Sequence, residues 1–238
     1  MSHEFQNKVV VITGAAGNLG RAVARAFSQQ DARLALLDLS GETIQAVIHD
    51  LPGGTEARAY AVNLLEAVSV SQTLQRIIQE FGRVDILANI AGGFSMGPLI
   101  QDTGDRDWDF MMNLNARSVF YTARAVIPCM LDNGGGRIIN VSARAALEGK
   151  GRMGPYCASK AAVRTLTESL AAENKFDNIN VNCILPGTID TPQNRDAMPD
   201  ANFSNWVPPA ALADVVVFLA SEAARCITGA AIPVYGKS

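Results

Sequence analysis

Seven short runs of apolar, largely β-branched residues recur along the chain, at 8–13 (KVVVIT), 33–38 (RLALLD), 58–62, 84–89 (VDILAN), 137–141 (RIINV), 180–185 and 231–235. In the strongest of them apolar side chains occupy consecutive positions, the pattern of strands covered on both faces. Between the runs the apolar positions change period: Leu19, Ala22, Val23, Ala26 and Phe27 form one helical stripe, and Val70, Leu74, Ile77, Ile78 and Phe81 another. Strands alternating with helices predict βαβ units. The expected fold is therefore α/β: a single domain over 1–238, built on a doubly wound parallel sheet of about seven strands with helices on both faces. Pro155, tolerated at a first helical position, marks the start of a further helix. The least regular stretch, 186–209, is expected to form a substrate-lid loop.

A length of 238 residues with 48% apolar and 18% charged residues suits one compact core without staples. No apolar run reaches membrane-spanning length, and the first residues lack a basic segment followed by an apolar one, so a cytoplasmic protein with no membrane partner is expected. A net charge of −3 without basic clusters argues against nucleic acid as a partner. The four cysteines are scattered, and the two histidines, His3 and His49, stand apart from any ligand-like cluster. Metal catalysis and a Ser/His/Asp triad lose support on that ground, and proton chemistry must use other groups.

The first strand runs into Thr13-Gly-Ala-Ala-Gly-Asn-Leu-Gly20. Gly14 permits a tight turn, Gly20 permits close packing of the following helix, and the residues from Gly17 through Asn18 and Leu19 place helix-start N–H groups where a pyrophosphate can sit. The same turn also serves as a plain strand-to-helix connection with no ligand. Asp38, eighteen residues past Gly20 at the end of the second strand, favours the nucleotide, because a carboxylate there bonds ribose hydroxyls. It would repel a 2′-phosphate, and no Lys or Arg occupies Ala15, Ala16, Gly17 or Leu39, so NAD(H) is favoured over NADP(H). The structural alternative for Asp38 is a helix N-cap beside Ser40.

Tyr156 and Lys160, four residues apart, share one helical face. A phenol ordinarily titrates near ~10, so bringing it to neutrality requires roughly 4 kcal/mol of preference for phenolate, for which a nearby cation has the right sign. An exposed Tyr and Lys on a helix face is the alternative. With the glycine turn and Asp38 the pair resembles the short-chain dehydrogenase/reductase family, which implies a Rossmann-type fold. Asn89-Ile-Ala91-Gly92 is similar to that family's signature after the fourth strand, and Pro186-Gly187-Thr188-Ile189-Asp190-Thr191 to its segment at the nicotinamide end. The resemblance implies Tyr156 as general acid/base and Lys160 on the nicotinamide ribose, with Asn115 holding a water on the proton path. It implies Asn63 near adenine, and Asn89, Ala91, Gly92, Pro186, Gly187, Ile189 and Thr191 around the cofactor. It further implies a small carbonyl or alcohol substrate, as in 3-oxoacyl reductases and related alcohol dehydrogenases, bordered by Phe94, Ala143, Arg144, Met153 and Trp206. A homotetramer is implied as well, with Phe120, Ala123 and Leu166 as contributors to its surface.

The chain departs from the family pattern where it matters chemically. Thirteen residues before Tyr156, the usual serine is Ala143, and Ser142 should point to the opposite face if the strand keeps its register. A lost oxyanion donor can cost on the order of 10²-fold in rate. Asn18 replaces a glycine of the turn and is expected to tolerate positive φ; Asn63, Ser118 and Tyr235 also stand where the family favours other residues. Two alternatives stay open: an enzyme resembling dihydropteridine reductase, which works without the serine, and a nucleotide-binding sensor or scaffold with weak chemistry. Arg144 either pairs with a carboxylate substrate or is a solvated loop arginine.

Overall fold

A computed structural model describes residues 3–237. Seven strands, β1 (Val9–Thr13), β2 (Arg33–Asp38), β3 (Ala57–Ala61), β4 (Ile86–Asn89), β5 (Gly136–Val141), β6 (Ile179–Pro186) and β7 (Ala231–Val234), form one parallel sheet in the order β3-β2-β1-β4-β5-β6-β7. The apolar runs lie within a residue or two of these strands. β1, β4 and the interior of β2 are buried at every position, which is why their sequences do not alternate.

Helices α1 (Asn18–Ser28), α2 (Gly41–His49), α3 (Ala67–Phe81), α4 (Asp105–Met111), α5 (Ser118–Asp132), α6 (Gly154–Asn174), α7 (Pro192–Ala197) and α8 (Pro209–Ala220) complete the fold. Two apolar cores result. One unites Val10, Ile12, Val23, Phe27 and Leu36 with Leu212 and Val216 of α8; the other unites Val9, Val11, Leu37, Leu74, Ile77 and Leu87 with Val126 of α5. α6 begins at Gly154, with Pro155 as its second residue. Between α4 and α5, Met112–Arg117 winds as a π-helix, a local widening that often marks functional positions.

The strand order reverses between β1 and β4, so the crevice at their carboxyl ends is where ligands of such sheets bind. The stretch 186–209 is more regular than its sequence suggests. Thr191 caps α7 by accepting from Asn194 N at 3.2 Å, Phe203–Asn205 form a 3-10 turn, and Ile189 bridges Val207 in parallel. Arg195 grips Asp190 with two bonds of 2.6 and 2.7 Å and covers the Phe203 ring, which explains how a segment poor in apolar residues stays ordered. A cavity of about 290 Å³ lies at the opposite, amino-terminal edge of the sheet. There Asp85 accepts from Val9 N, Lys8 and Arg83, an ion network that stitches strand starts together.

Candidate active site

Gly14 adopts φ +65°, and a Cβ there would lie 2.8 Å from Ala91 Cα, so the turn after β1 rests directly on the chain leaving β4. A Cβ on Gly20 would lie 2.1 Å from Gly14 O, a backbone atom that cannot yield. Gly17 precedes α1 as its N-cap, and Asn18 is already helical, so Asn18 does not need the positive φ expected of it. Its side chain instead donates to Gln193 Oε1 of α7 at 3.0 Å. Leu19 is buried in the core, and the first N–H groups of α1 have no intrahelical acceptor.

Asp38 is not a helix cap, because Ser40 performs that role for α2 by accepting from Thr43 N. Its carboxylate accepts from Ala16 N at 2.9 Å and Leu39 N at 2.8 Å, which fixes its two oxygens beside the turn with lone pairs to spare. The cation that sequence spacing missed here is Arg21, whose Nε donates to Ala16 O at 3.0 Å while Nη1 reaches Asp50 at 3.4 Å. Asn63 is tied to its own loop, donating to Glu66 and accepting from Leu65 N.

At the carboxyl ends of β4 and β5, Asn115, Ser159 and Lys160 converge. Asn115 Oδ1 accepts from Gly93 N at 2.9 Å; its Nδ2 donates to Gly93 O at 3.1 Å and to Ser159 Oγ at 2.9 Å, so the amide has one orientation. Ser159 in turn donates to Tyr156 O at 2.8 Å. Lys160 Nζ donates to Val141 O at 2.9 Å. A Cβ on Gly92 would lie 2.8 Å from Asn115 Oδ1 and 3.0 Å from Lys160 Nζ, so only glycine leaves this pair undisturbed. Phe94 packs edge-on against the Tyr156 ring with centroids 5.0 Å apart. Among the described residues the Tyr156 hydroxyl bonds to no protein group, which leaves it available to a ligand.

Burial pushes the Tyr156 phenol up to about 12, with Cys157 adding to the effect, and burial pulls Lys160 down to about 8. In the protein chain itself the phenol is therefore set by burial and not lowered by the lysine, contrary to the tuning that spacing suggests. Lys160 commits one of its three donors to Val141 O, which leaves two for a ligand.

β5 keeps its ladder through Ser142, whose N–H bonds to Ile184 O at 3.0 Å. Ser142 Oγ donates to Lys160 O at 2.7 Å, away from the hydroxyl of Tyr156, as alternation requires. Ala143 is extended and buried in an apolar cluster with Ala145 and Cys157, against which Met153 and Tyr156 pack. We therefore expect Ala143→Ser to place a donor beside Tyr156 and raise kcat/KM on simple ketones by on the order of 10²-fold; unchanged rates would show that the substrate oxygen lies elsewhere. Arg144 is exposed and stacks over the Tyr235 ring at 5.1 Å. Trp206 is buried and packs on Phe203, so it supports the segment that carries it rather than presenting an open face.

At the nicotinamide-end segment, Pro186 closes β6, Gly187 N donates to Val234 O, Ile189 O accepts from Asn194, and Thr191 caps α7. Several supporting residues carry little sequence signal. Thr13 Oγ1 accepts from both Ile90 N and Ala91 N at 3.1 Å, which shapes the chain after β4. Asn89 donates to Asn140 and accepts from Thr122, and Asn140 donates to Thr167, a buried chain across two strands and two helices. Asn89 and Asn140, polar residues within strand-like runs at 84–89 and 137–141, are the visible hints of it.

A glycine turn set at the switch point of a parallel sheet defines a Rossmann-type α/β protein. The short chain dehydrogenase family model matches residues 8–202, and the chain belongs to that family, the short-chain dehydrogenases/reductases, oxidoreductases that work with nicotinamide cofactors. It is 31% identical over 243 residues to 3-oxoacyl-(acyl-carrier-protein) reductase FabG of Thermotoga maritima, covering 98% of each protein. It is 34% identical to D-threitol dehydrogenase of Mycolicibacterium smegmatis, covering 98% of this chain and 93% of the relative. Among solved structures, levodione reductase superposes with a TM-score of 0.89 at 26% identity, over 98% of this chain and 97% of that one.

Proposed function

We propose that this protein is an NAD(H)-dependent oxidoreductase that interconverts a small carbonyl compound and its alcohol, with Tyr156 as general acid/base. The carrying observation is that the Tyr156 hydroxyl has no hydrogen-bond partner among the described residues, on the same α6 that brings Lys160 and, through Ser159, Asn115 to the carboxyl ends of β4 and β5. The residues fit a dinucleotide: Gly14 and Gly20 let the turn, the chain after β4 and α1 pack closely at the switch point, and the start of α1 offers N–H groups to a pyrophosphate. Asp38 would bond the adenosine ribose, with Asn63 toward adenine. Asn89, Ala91, Gly92 and Lys160 would lie along the nicotinamide riboside, and Pro186, Gly187, Ile189 and Thr191 would flank the nicotinamide end. When bound, the cofactor supplies or removes the hydride.

Tyr156, held at about 12, is protonated at neutral pH and so is set to donate to a carbonyl oxygen in the reductive direction. In the oxidative direction it must first lose that proton, so alcohol oxidation should rise with pH while reduction does not. Lys160 would grip the nicotinamide ribose, and Asn115 would keep the chain beside it in register. Phe94, Ala143, Arg144, Met153 and Trp206 lie in the segments that would enclose the substrate. Activities named for the relatives, reduction of a 3-oxoacyl group and oxidation of a sugar alcohol, are the first to try. The apolar setting of Ala143 favours a second reading, a substrate reactive enough to need only one donor, such as a quinonoid dihydropterin. A cytoplasmic homotetramer is part of the proposal. Phe120 is exposed as an interface residue should be, and Leu166 is half-buried; Ala123 is buried within the fold and is withdrawn from that surface.

The test is loss of nicotinamide absorbance when a panel of carbonyl compounds is offered with NADH. Wild type should prefer NADH to NADPH by at least tenfold, and Asp38→Ser should erase that preference, because the carboxylate both bonds the ribose and repels a 2′-phosphate. Tight NADH binding with no turnover of any carbonyl or pterin would leave a sensor role instead. A preference for NADPH would assign Arg21 to the 2′-phosphate.

A further inference from the structure

Arg152 stands four residues before Tyr156 with φ +63°, in the sequence Gly149-Lys-Gly-Arg-Met-Gly154. Glycine holds that backbone conformation without strain and occupies neighbouring positions, yet this position carries a long cationic side chain. Arg152 also joins the two loops that flank the catalytic phenol. Its carbonyl accepts from Gly97 N at 2.9 Å, and its Nε reaches Gly97 O at 3.4 Å. Gly97 belongs to the loop that carries Phe94, whose ring packs on Tyr156. The guanidinium is exposed where these loops meet, and among the described residues its two Nη groups have no acceptor and it makes no ion pair.

The loop clip alone does not account for an arginine, since the backbone half of it would survive with any residue and the side-chain half is a long bond. The charges around it point the same way. From 144 to 152 the chain holds Arg144, Lys150 and Arg152 against Glu148 alone, and Glu148 is engaged by Lys150 at 3.7 Å. In a protein of net charge −3 this is a local cationic rim. A planar guanidinium with free Nη groups matches an anionic oxygen pair.

We propose that Arg152 is a substrate-binding residue, and that the substrate is a carbonyl compound bearing a carboxylate or phosphate at the end remote from the reacting carbon. This rests on Tyr156 being the acid/base of the site. An anion held at the loop junction would orient the carbonyl toward the phenol and select oxo acids or oxo phosphates over neutral ketones.

The test is calorimetry on the full-length protein with NADH present, using 4-oxopentanoate against its methyl ester and dihydroxyacetone phosphate against dihydroxyacetone. Wild type should hold the charged member of at least one pair tenfold or more tighter, and the pair that shows the advantage identifies carboxylate or phosphate. Arg152→Gly and Arg152→Gln should both abolish the advantage while leaving the neutral compounds unchanged, and Arg152→Gly, freed of backbone strain, should melt higher than wild type. Equal binding of charged and neutral members by wild type, or a preference that survives both substitutions, overturns the proposal. An Arg152-dependent preference without consumption of NADH would uphold the anion site and count instead against the oxidoreductase reading.

Discussion

Tyr156→Phe is expected to lower kcat by on the order of 10²- to 10⁴-fold while leaving NADH affinity and folding intact. The ring keeps its contact with Phe94 and its place on α6, and the hydroxyl makes no hydrogen bond among the described residues, so its removal deletes only the transferable proton. Stopped-flow reduction and fluorescence titration of NADH together check this: a variant that reduces its substrate at wild-type rate would show that proton delivery comes from another group.

Lys160→Met should do the opposite to stability and the same to activity. The ammonium is nearly inaccessible, and burial holds its folded pKa near 8 against about 10.4 in an unfolded chain. A lysine depressed in this way weakens the fold wherever the ammonium is charged in both states, that is below about pH 8, and the loss is recovered as pH rises toward 10.4. The difference corresponds to about 3 kcal/mol as an upper bound, from which the bond to Val141 O, worth roughly 1 kcal/mol, must be subtracted. Urea unfolding at pH 7 should therefore show Lys160→Met more stable than wild type by about 2 kcal/mol, with the gap closing by pH 10, and carbonyl reduction largely lost. If the variant is less stable at pH 7, the lysine is better compensated than its surroundings indicate.

The sheet was legible because buried parallel strands leave an unbroken apolar signature, and each of the seven runs falls on a strand. Gly14, Gly20, Asp38, Tyr156 and Lys160 were legible because fixed spacing from strand ends carries them to the same edge. What could not be read were features decided by contacts between distant segments. The π-helical turn at 112–117 has no sequence pattern of its own, because it reflects how α4 and α5 are forced to meet around Asn115. Asn18 was misjudged from its neighbours: the turn ends at Gly17, one residue earlier, so helical geometry replaces positive φ. α7 escaped because six residues carry too little periodicity, and its order derives from Thr191 and from the Asp190–Arg195 pair. Ala123 belonged to a stripe whose face cannot be assigned without the partner it covers. Arg152 gave no signal beyond its glycines, since its significance lies in Gly97, 55 residues away.

The buried chain from Thr122 through Asn89 and Asn140 to Thr167 also guards alignment. Asn89 sits directly opposite Asn140 in the ladder between β4 and β5. Were β5 to slip by a single residue, Asn140 would swing to the other layer, its amide and that of Asn89 would be stranded in apolar surroundings, and two threonines would lose their mates. A misaligned sheet is thus penalised at its centre before any ligand arrives, and these four side chains ensure that the carboxyl edge of the sheet is assembled in only one way.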